Sequence, residues 1–226
     1  VQLQLFAPGG LSKAPAEDYP LYENTAGYME LGGIEKLSDD DYYSLTSQNG
    51  IGLLVAMEQW WHGIIASAPS DKSGMLIRLV AEKMLRPRLD YEEFEELKLS
   101  ELEDYGEESY LSKLMKTDCQ RQLSASLDSL MGNLTYGRRL KATKTDIENL
   151  SLDRMAGFYK TLYSNPDGMT CVVCGDFNVD AFIAEAVPVF GAMSSSEPNK
   201  YGVSYYTQPQ GITVKEWPNA NETQSA

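Results

Sequence analysis

FYKTLYSNPDGMTCVVCGDFNVDAFIAEAVPVFG, residues 158–191, decides the reading of this chain. Leu152, Met155, Tyr159 and Leu162 recur at helical spacing, so a helix over 151–163 runs into its start. Asn165-Pro166-Asp167-Gly168 supplies turn chemistry: a proline that fixes φ, side chains that bond nearby backbone, and a glycine that accepts positive φ. Residues 169–174 form a short apolar run that reads as a buried strand, followed by Gly175-Asp176-Phe177. Asp180 then opens a helix to about Val187, and Phe190-Gly191 closes the segment. Helix, turn, strand and helix follow one another without a gap.

Working outward, Val1-Gln2-Leu3-Gln4-Leu5-Phe6 alternates apolar and polar residues as a half-buried strand does, and Ala7-Pro8-Gly9-Gly10 ends it. Pro20 suits a first helical turn, and a helix over 20–31 is stopped by Gly32-Gly33. Ser38-Asp39-Asp40-Asp41 is an N-cap cluster for a second helix, which closes near Asn49-Gly50. Residues 51–57 and 61–68 are β-rich and flank a tight connection at Glu58-Gln59, as an antiparallel pair would. Ser70-Asp71 caps a helix with Leu76, Leu79, Val80 and Met84 on one face, ended by Pro87. Asp90 opens a long helical stretch, a second covers about 109–130, and Asp146 begins a short one. This order predicts an α+β domain, a largely antiparallel sheet with a layer of helices packed on one face. The domain is expected over 1–195. Residues 196–226 read as a linker and a strand, Ile212-Thr213-Val214-Lys215-Glu216, leading toward a following domain.

The chain has 226 residues, 42% of them hydrophobic, which is enough for a sizeable core. Its net charge of −14 argues against nucleic acid, whose phosphates demand clustered Lys and Arg. The nearest basic cluster, Arg138-Arg139-Leu140-Lys141, is too short to serve. The carboxylates dense over 90–108 read as a solvated helix face. No run is long enough for a membrane span. The chain begins with Val1 rather than Met, so an upstream segment, with any targeting signal, is expected to be missing.

Three cysteines make no disulfide framework. Cys171 and Cys174 spell CxxC, but residues three apart on a strand face opposite sides, so they are expected to be two small buried hydrophobes. There is no second CxxC or CxxH to complete a zinc site. Trp60 and Trp61, adjacent on the expected strand, should likewise face opposite sides, packing against helices or a sister domain. No GxSxG, GxxxxGK[ST] or GxGxxG occurs, and the single histidine, His62, limits Ser-His or Cys-His catalysis.

Four pieces in this order resemble the pitrilysin/insulinase family of zinc metallopeptidases. They are VQLQLFAPGG at 1–10, Leu85-Arg-Pro-Arg-Leu-Asp-Tyr-Glu-Glu-Phe94 with Lys98, Asp146-Ile-Glu-Asn-Leu through Phe158-Tyr159, and the closing strand with Gly175-Asp176. The resemblance covers most of 1–193 and implies the metallopeptidase-like LuxS/processing-peptidase fold. Active domains of that family carry HxxEH on the helix after the first strand, two histidines binding zinc and the glutamate activating water. Here those positions fall on Gly27, Glu30 and Leu31, and His62 cannot replace a pair. The family's third ligand is a glutamate on the later long helix; Glu101, Glu103 and Asp104 lie nearby and read as solvated charges. No residue of this chain is therefore assigned a catalytic, cofactor-binding or metal role.

The resemblance implies a degenerate copy of the family's repeated domain. It would be a non-catalytic domain of a multidomain zinc metalloendopeptidase, forming part of a substrate-enclosing chamber and contributing peptide binding. The chain alone is expected to be inactive and to hold no cofactor, with zinc in a separate catalytic domain. Its expected partners are sister domains or a partner subunit and a peptide or unfolded protein. The parent's compartment is open, with an exported, periplasmic bacterial protein as the first expectation. The alternative is a structural scaffold in a member that has lost proteolysis altogether.

Overall fold

Strand β1 (Gln2–Pro8) lies between two others, although it is the first element of the chain. It pairs antiparallel with β3 (Trp61–Ser67) on one side and with β4 (Thr170–Cys174) on the other. Strand β2 (Gly52–Met57) pairs antiparallel with β3, giving the order β2-β3-β1-β4. The computed structural model describes residues 1–15, 18–103, 105, 123, 142–201, 211, 212 and 214. Its mixed helices and antiparallel sheet are the α+β architecture the element order implies.

The alternation of β1 sorts its side chains cleanly. Leu3, Leu5 and Ala7 are buried, whereas Gln2, Gln4 and Phe6 are exposed. Carried through the register, the exposed side forms cross-strand rows. Cys174, Gln2, Ser67 and Gly52 make one, Val172, Gln4, Ile65 and Leu54 the next, and Thr170, Phe6, Gly63 and Ala56 the third. Pro8 opposite Trp61 ends the series.

The helices are α1 (Tyr19–Tyr22), α2 (Thr25–Leu31), α3 (Asp39–Gln48), α4 (Ser73–Leu85), α5 (Tyr91–Glu103), α6 (Lys144–Glu148), α7 (Leu152–Tyr163) and α8 (Val179–Gly191). Helices α4 and α7 supply much of the core, through Leu76, Ile77, Val80 and Met84 and through Met155, Tyr159, Leu162 and Tyr163. Several starts follow from capping. The Ser38 side chain accepts the Asp41 N–H at 3.2 Å, Asn178 accepts that of Ala181 at 2.9 Å, and Thr143 and Asp146 form a reciprocal capping box.

Several sequence expectations need correction. The helix expected over 20–31 is two, broken at Glu23-Asn24, because the second has its own start at Asn24. The strand expected to be buried at 169–174 lies at the end of the sheet order: among the described residues β4 pairs only with β1, and both Cys171 and Cys174 are exposed. They do face opposite sides, Cys171 opposite Leu5 and Cys174 opposite Gln2. Trp60 precedes β3 rather than belonging to it, and neither tryptophan of the pair is buried. Helix α8 runs past Val187, through Pro188, to Gly191. The helix expected over 109–130 lies outside the described residues except for position 123, as does most of the strand expected over 212–216.

Candidate functional site

Helices α2 and α5 form the walls of a cleft of about 820 Å³. Its α2 wall presents Gly27, Glu30 and Leu31, the three positions of the resemblance, together with Tyr28, and Glu23 lines it from the break before α2. Its α5 wall presents Leu97, Ser100 and Glu101. The structure therefore brings together the positions that the HxxEH comparison singles out and one of the three acidic candidates from the later helix. Glu103 is exposed and does not line the cleft, and Asp104 lies outside the described residues. Glu101 is half-buried and accepts a hydrogen bond from the Tyr28 hydroxyl at 3.4 Å, so it is not a fully solvated helix charge.

The cleft is electronegative. Glu23, Glu30 and Glu101 line it, and no Lys or Arg does among the described residues. Desolvation and then the Glu101 charge raise the Glu23 carboxyl. The same two causes push the Tyr28 hydroxyl up to about 12.

Glu30 has acquired a different task. Its carboxylate accepts the backbone N–H of Val55, on the edge strand β2, and so pins α2 to the sheet. Burial raises the Glu30 pKa, while the Val55 bond and the Lys83 charge pull it back. Lys83 is fully buried on α4 and donates to the carbonyls of Gly33 at 2.6 Å and Glu30 at 3.3 Å, closing the end of α2. Burial lowers its pKa to about 8 against the opposing pull of Glu30 and Asp39.

Tyr159 donates to the Lys83 carbonyl at 2.8 Å and stacks on Tyr163, which donates to the Ala56 carbonyl at 2.5 Å. The Glu30 carboxylate is thus part of a bonded framework joining α2, α4, α7 and the sheet. Glu30→Ala removes the acceptor of Val55 and the charge facing Lys83. It should lower stability by about 2 kcal/mol in urea unfolding, and Glu30→Gln, which keeps an acceptor, should lose less.

The residues present do not fit zinc. Gly27 offers no donor and Leu31 offers an aliphatic group where the motif needs imidazoles, and the carboxylate between them is engaged by Val55. Among the described residues no three His, Cys, Asp or Glu side chains gather where they could hold a metal.

His62, the other residue the sequence singled out, is completely buried away from the cleft. Its Nδ1 accepts the Gly10 N–H at 3.2 Å, so its Nε2 carries the proton and donates to the Leu162 carbonyl at 3.0 Å. It ties the Gly9-Gly10 turn to the end of α7.

Comparison with known proteins is consistent with this geometry. Residues 149–226 match the family model described as the peptidase M16 inactive domain. A comparison of the sequence with curated proteins gives no match. Among solved structures, the chain is similar to the periplasmic protease PqqL from Escherichia coli, with 15% identity and a TM-score of 0.72 over 89% of this chain and 21% of that one. It is also similar to a peptidase M16 inactive domain from Pseudomonas fluorescens, with 16% identity, a TM-score of 0.61 and coverage of 92% and 48%. Pitrilysin itself gives 17% identity, a TM-score of 0.56 and coverage of 94% and 22%. The chain therefore spans between about a fifth and a half of the length of these proteins. The last third of the chain thus matches the peptidase M16 inactive domain, and the fold as a whole is similar to those of PqqL, the Pseudomonas fluorescens inactive domain and pitrilysin.

Proposed function

We propose that this chain is a non-catalytic domain of a multidomain zinc metalloendopeptidase, forming part of the wall of a substrate-enclosing chamber and contributing contacts to peptide. The observation that carries the reading is the α2–α5 cleft. Its HxxEH-equivalent positions are held by Gly27 and Leu31, and its remaining glutamate is bonded to Val55. Zinc would then reside in another domain of the parent protein, and sister domains of the same fold would be this domain's immediate partners. The chain's short span within PqqL and pitrilysin supports a parent of several domains. The acidity of the cleft and of the whole chain would draw basic peptide segments toward this wall.

Elemental mass spectrometry of the chain purified without chelators tests the non-catalytic assignment. Zinc far below one per chain is the expected result. About one tightly held zinc per chain would overturn it and make the domain a metal site in its own right.

A further inference from the structure

Ser194-Ser195-Ser196-Glu197-Pro198-Asn199-Lys200 has the composition of a free linker, and all of it except Asn199 is exposed. It is nonetheless held. The Ser195 hydroxyl and, at 3.1 Å, the Ser196 N–H donate to the Asp167 carboxylate. The Asn199 N–H donates to the Asp167 carbonyl at 3.0 Å. The Asn199 carboxamide donates to the carbonyls of Asn165 and Asp167, each at 3.1 Å. In return the Asn165 carboxamide donates to the Glu197 carbonyl at 2.8 Å, while its oxygen accepts the Asp167 N–H at 3.1 Å. One asparagine side chain thus braces its own turn and grips the later segment.

The two segments are close as well as bonded. Gly168 has a φ of +79°, and a Cβ there would lie 3.0 Å from the Asn199 nitrogen and 3.3 Å from the Pro198 Cβ. Glycine therefore serves both the turn and the approach of the second segment. Each bond lies beside solvent and adds little alone, because water offers the same partners. Preorganisation favours the set. The turn is fixed between α7 and β4, buried Met193 anchors the start of the segment, and Pro198 narrows the freedom that bonding must remove.

Scale shows what the arrangement does. Over the length from Ser194 to Lys200 a free linker would let its end wander by about 15 Å. That approaches the ~17 Å radius of gyration of a compact domain of this chain's length. A free segment would therefore leave whatever follows it unoriented, and the bonds to Asn165 and Asp167 remove that freedom as far as Asn199.

We propose that the Asn165–Gly168 turn is a clasp that makes residues 194–199 a fixed strap, so that the polypeptide beyond Lys200 leaves this domain from one position. The use of the strap, placing a domain that follows, rests on the multidomain reading above.

Trypsin digestion of the full-length polypeptide tests the clasp. Cleavage after Lys200 requires residues 197–200 to lie extended in the protease, which the bonds to the turn oppose. The new N-terminus at Tyr201 is followed by mass spectrometry. Asp167→Ala combined with Asn199→Ala removes the carboxylate and one carboxamide of the clasp and should speed this cut at least tenfold. Ser194→Ala, in the same segment but outside the clasp, should leave it unchanged. Hydrogen exchange of the uncut polypeptide gives a second reading. The amides of positions 196 and 199 should exchange at least tenfold faster in the double variant than in the natural protein. Those of β4 should exchange alike in both, showing that the fold is kept.

Equal cutting after Lys200 in the natural protein and the double variant would overturn the clasp. So would exchange at 196 and 199 in the natural protein at the rate of an unstructured chain. The fragment beginning at Tyr201 separates the strap from the reading it rests on. A trypsin-resistant fragment released by the faster cut supports both. Faster cutting with that fragment reduced to short peptides supports the strap and overturns a following domain.

Discussion

Gly63→Ala is expected to cost at least about 3 kcal/mol of stability, a large part of the roughly 5–15 kcal/mol a domain possesses. Gly63 lies within β3, opposite Phe6 of β1. A methyl group there would sit 1.9 Å from the Leu5 carbonyl oxygen and 2.8 Å from the Phe6 Cα. Both atoms belong to backbone, so no change of rotamer relieves the clash, and β1 and β3 must separate at this pair. A thermal melt followed by circular dichroism should show the transition lowered by about 10 °C. Gly157→Ala is the matched control. It lies inside α7 with nothing within 4 Å of the added carbon, and it should raise stability by about 0.5–1 kcal/mol. Equal effects from the two substitutions would remove the steric argument.

The second large effect concerns His62. Replacing it by Ala strands the Gly10 N–H and the Leu162 carbonyl in a dry interior and opens a cavity beneath Tyr163, whose ring it meets edge-on at 5.0 Å. A loss of about 3–5 kcal/mol is expected from urea unfolding. The same site gives an acid-sensitive stability. Burial, together with Lys13 and against the Leu162 bond, lowers the His62 pKa from 6.5 to about 4. Protonated, Nδ1 would turn a donor toward the Gly10 N–H, donor against donor.

The unfolded chain therefore takes the proton first. The stability contributed by neutral His62 is complete above pH 6.5, falls as pH drops toward 4, and is level below that. The whole change amounts to about 3 kcal/mol. Glu23, Glu30 and Asp39 have raised pKa values and act in the opposite sense, gaining stability as pH falls. The His62 contribution is thus read as the difference between the natural chain and His62→Gln across pH 7.5 to 4. Parallel profiles would show that His62 does not titrate on unfolding.

Local chemistry made most of the elements legible in the sequence. The Asn165–Gly168 turn, the Ser38 cap, the Gly32-Gly33 stop and the alternation of β1 all act over a few residues. Topology was harder. A five-residue apolar run such as Thr170–Cys174 looks the same in a central strand and at an edge, and only the insertion of β1 beside it decides which. The site divides along the same line. That Gly27 and Leu31 lack ligand atoms is a matter of residue type and needs no structure. What became of Glu30 depends on Val55, 25 positions away, and the burial of Lys83 depends on Gly33, 50 positions away. No periodicity encodes such pairs. His62 was seen only as a histidine without a partner; its structural role rests on Gly10 and Leu162, which converge on it from separate parts of the chain.

The pairing of Gln2 with Cys174 has a consequence for how the protein is made. As the chain leaves the ribosome, β1 can join the β2–β3 hairpin early, but its other flank waits for β4, nearly the full length of the described domain later. At ~5–20 residues per second that interval is on the order of ten seconds. Throughout it the backbone of Gln2, Gln4 and Phe6 offers an unsatisfied strand edge to any other nascent chain or chaperone nearby. Translation speed between the codons for β3 and β4 thus becomes a determinant of yield, and truncation before Thr170 leaves that edge open permanently.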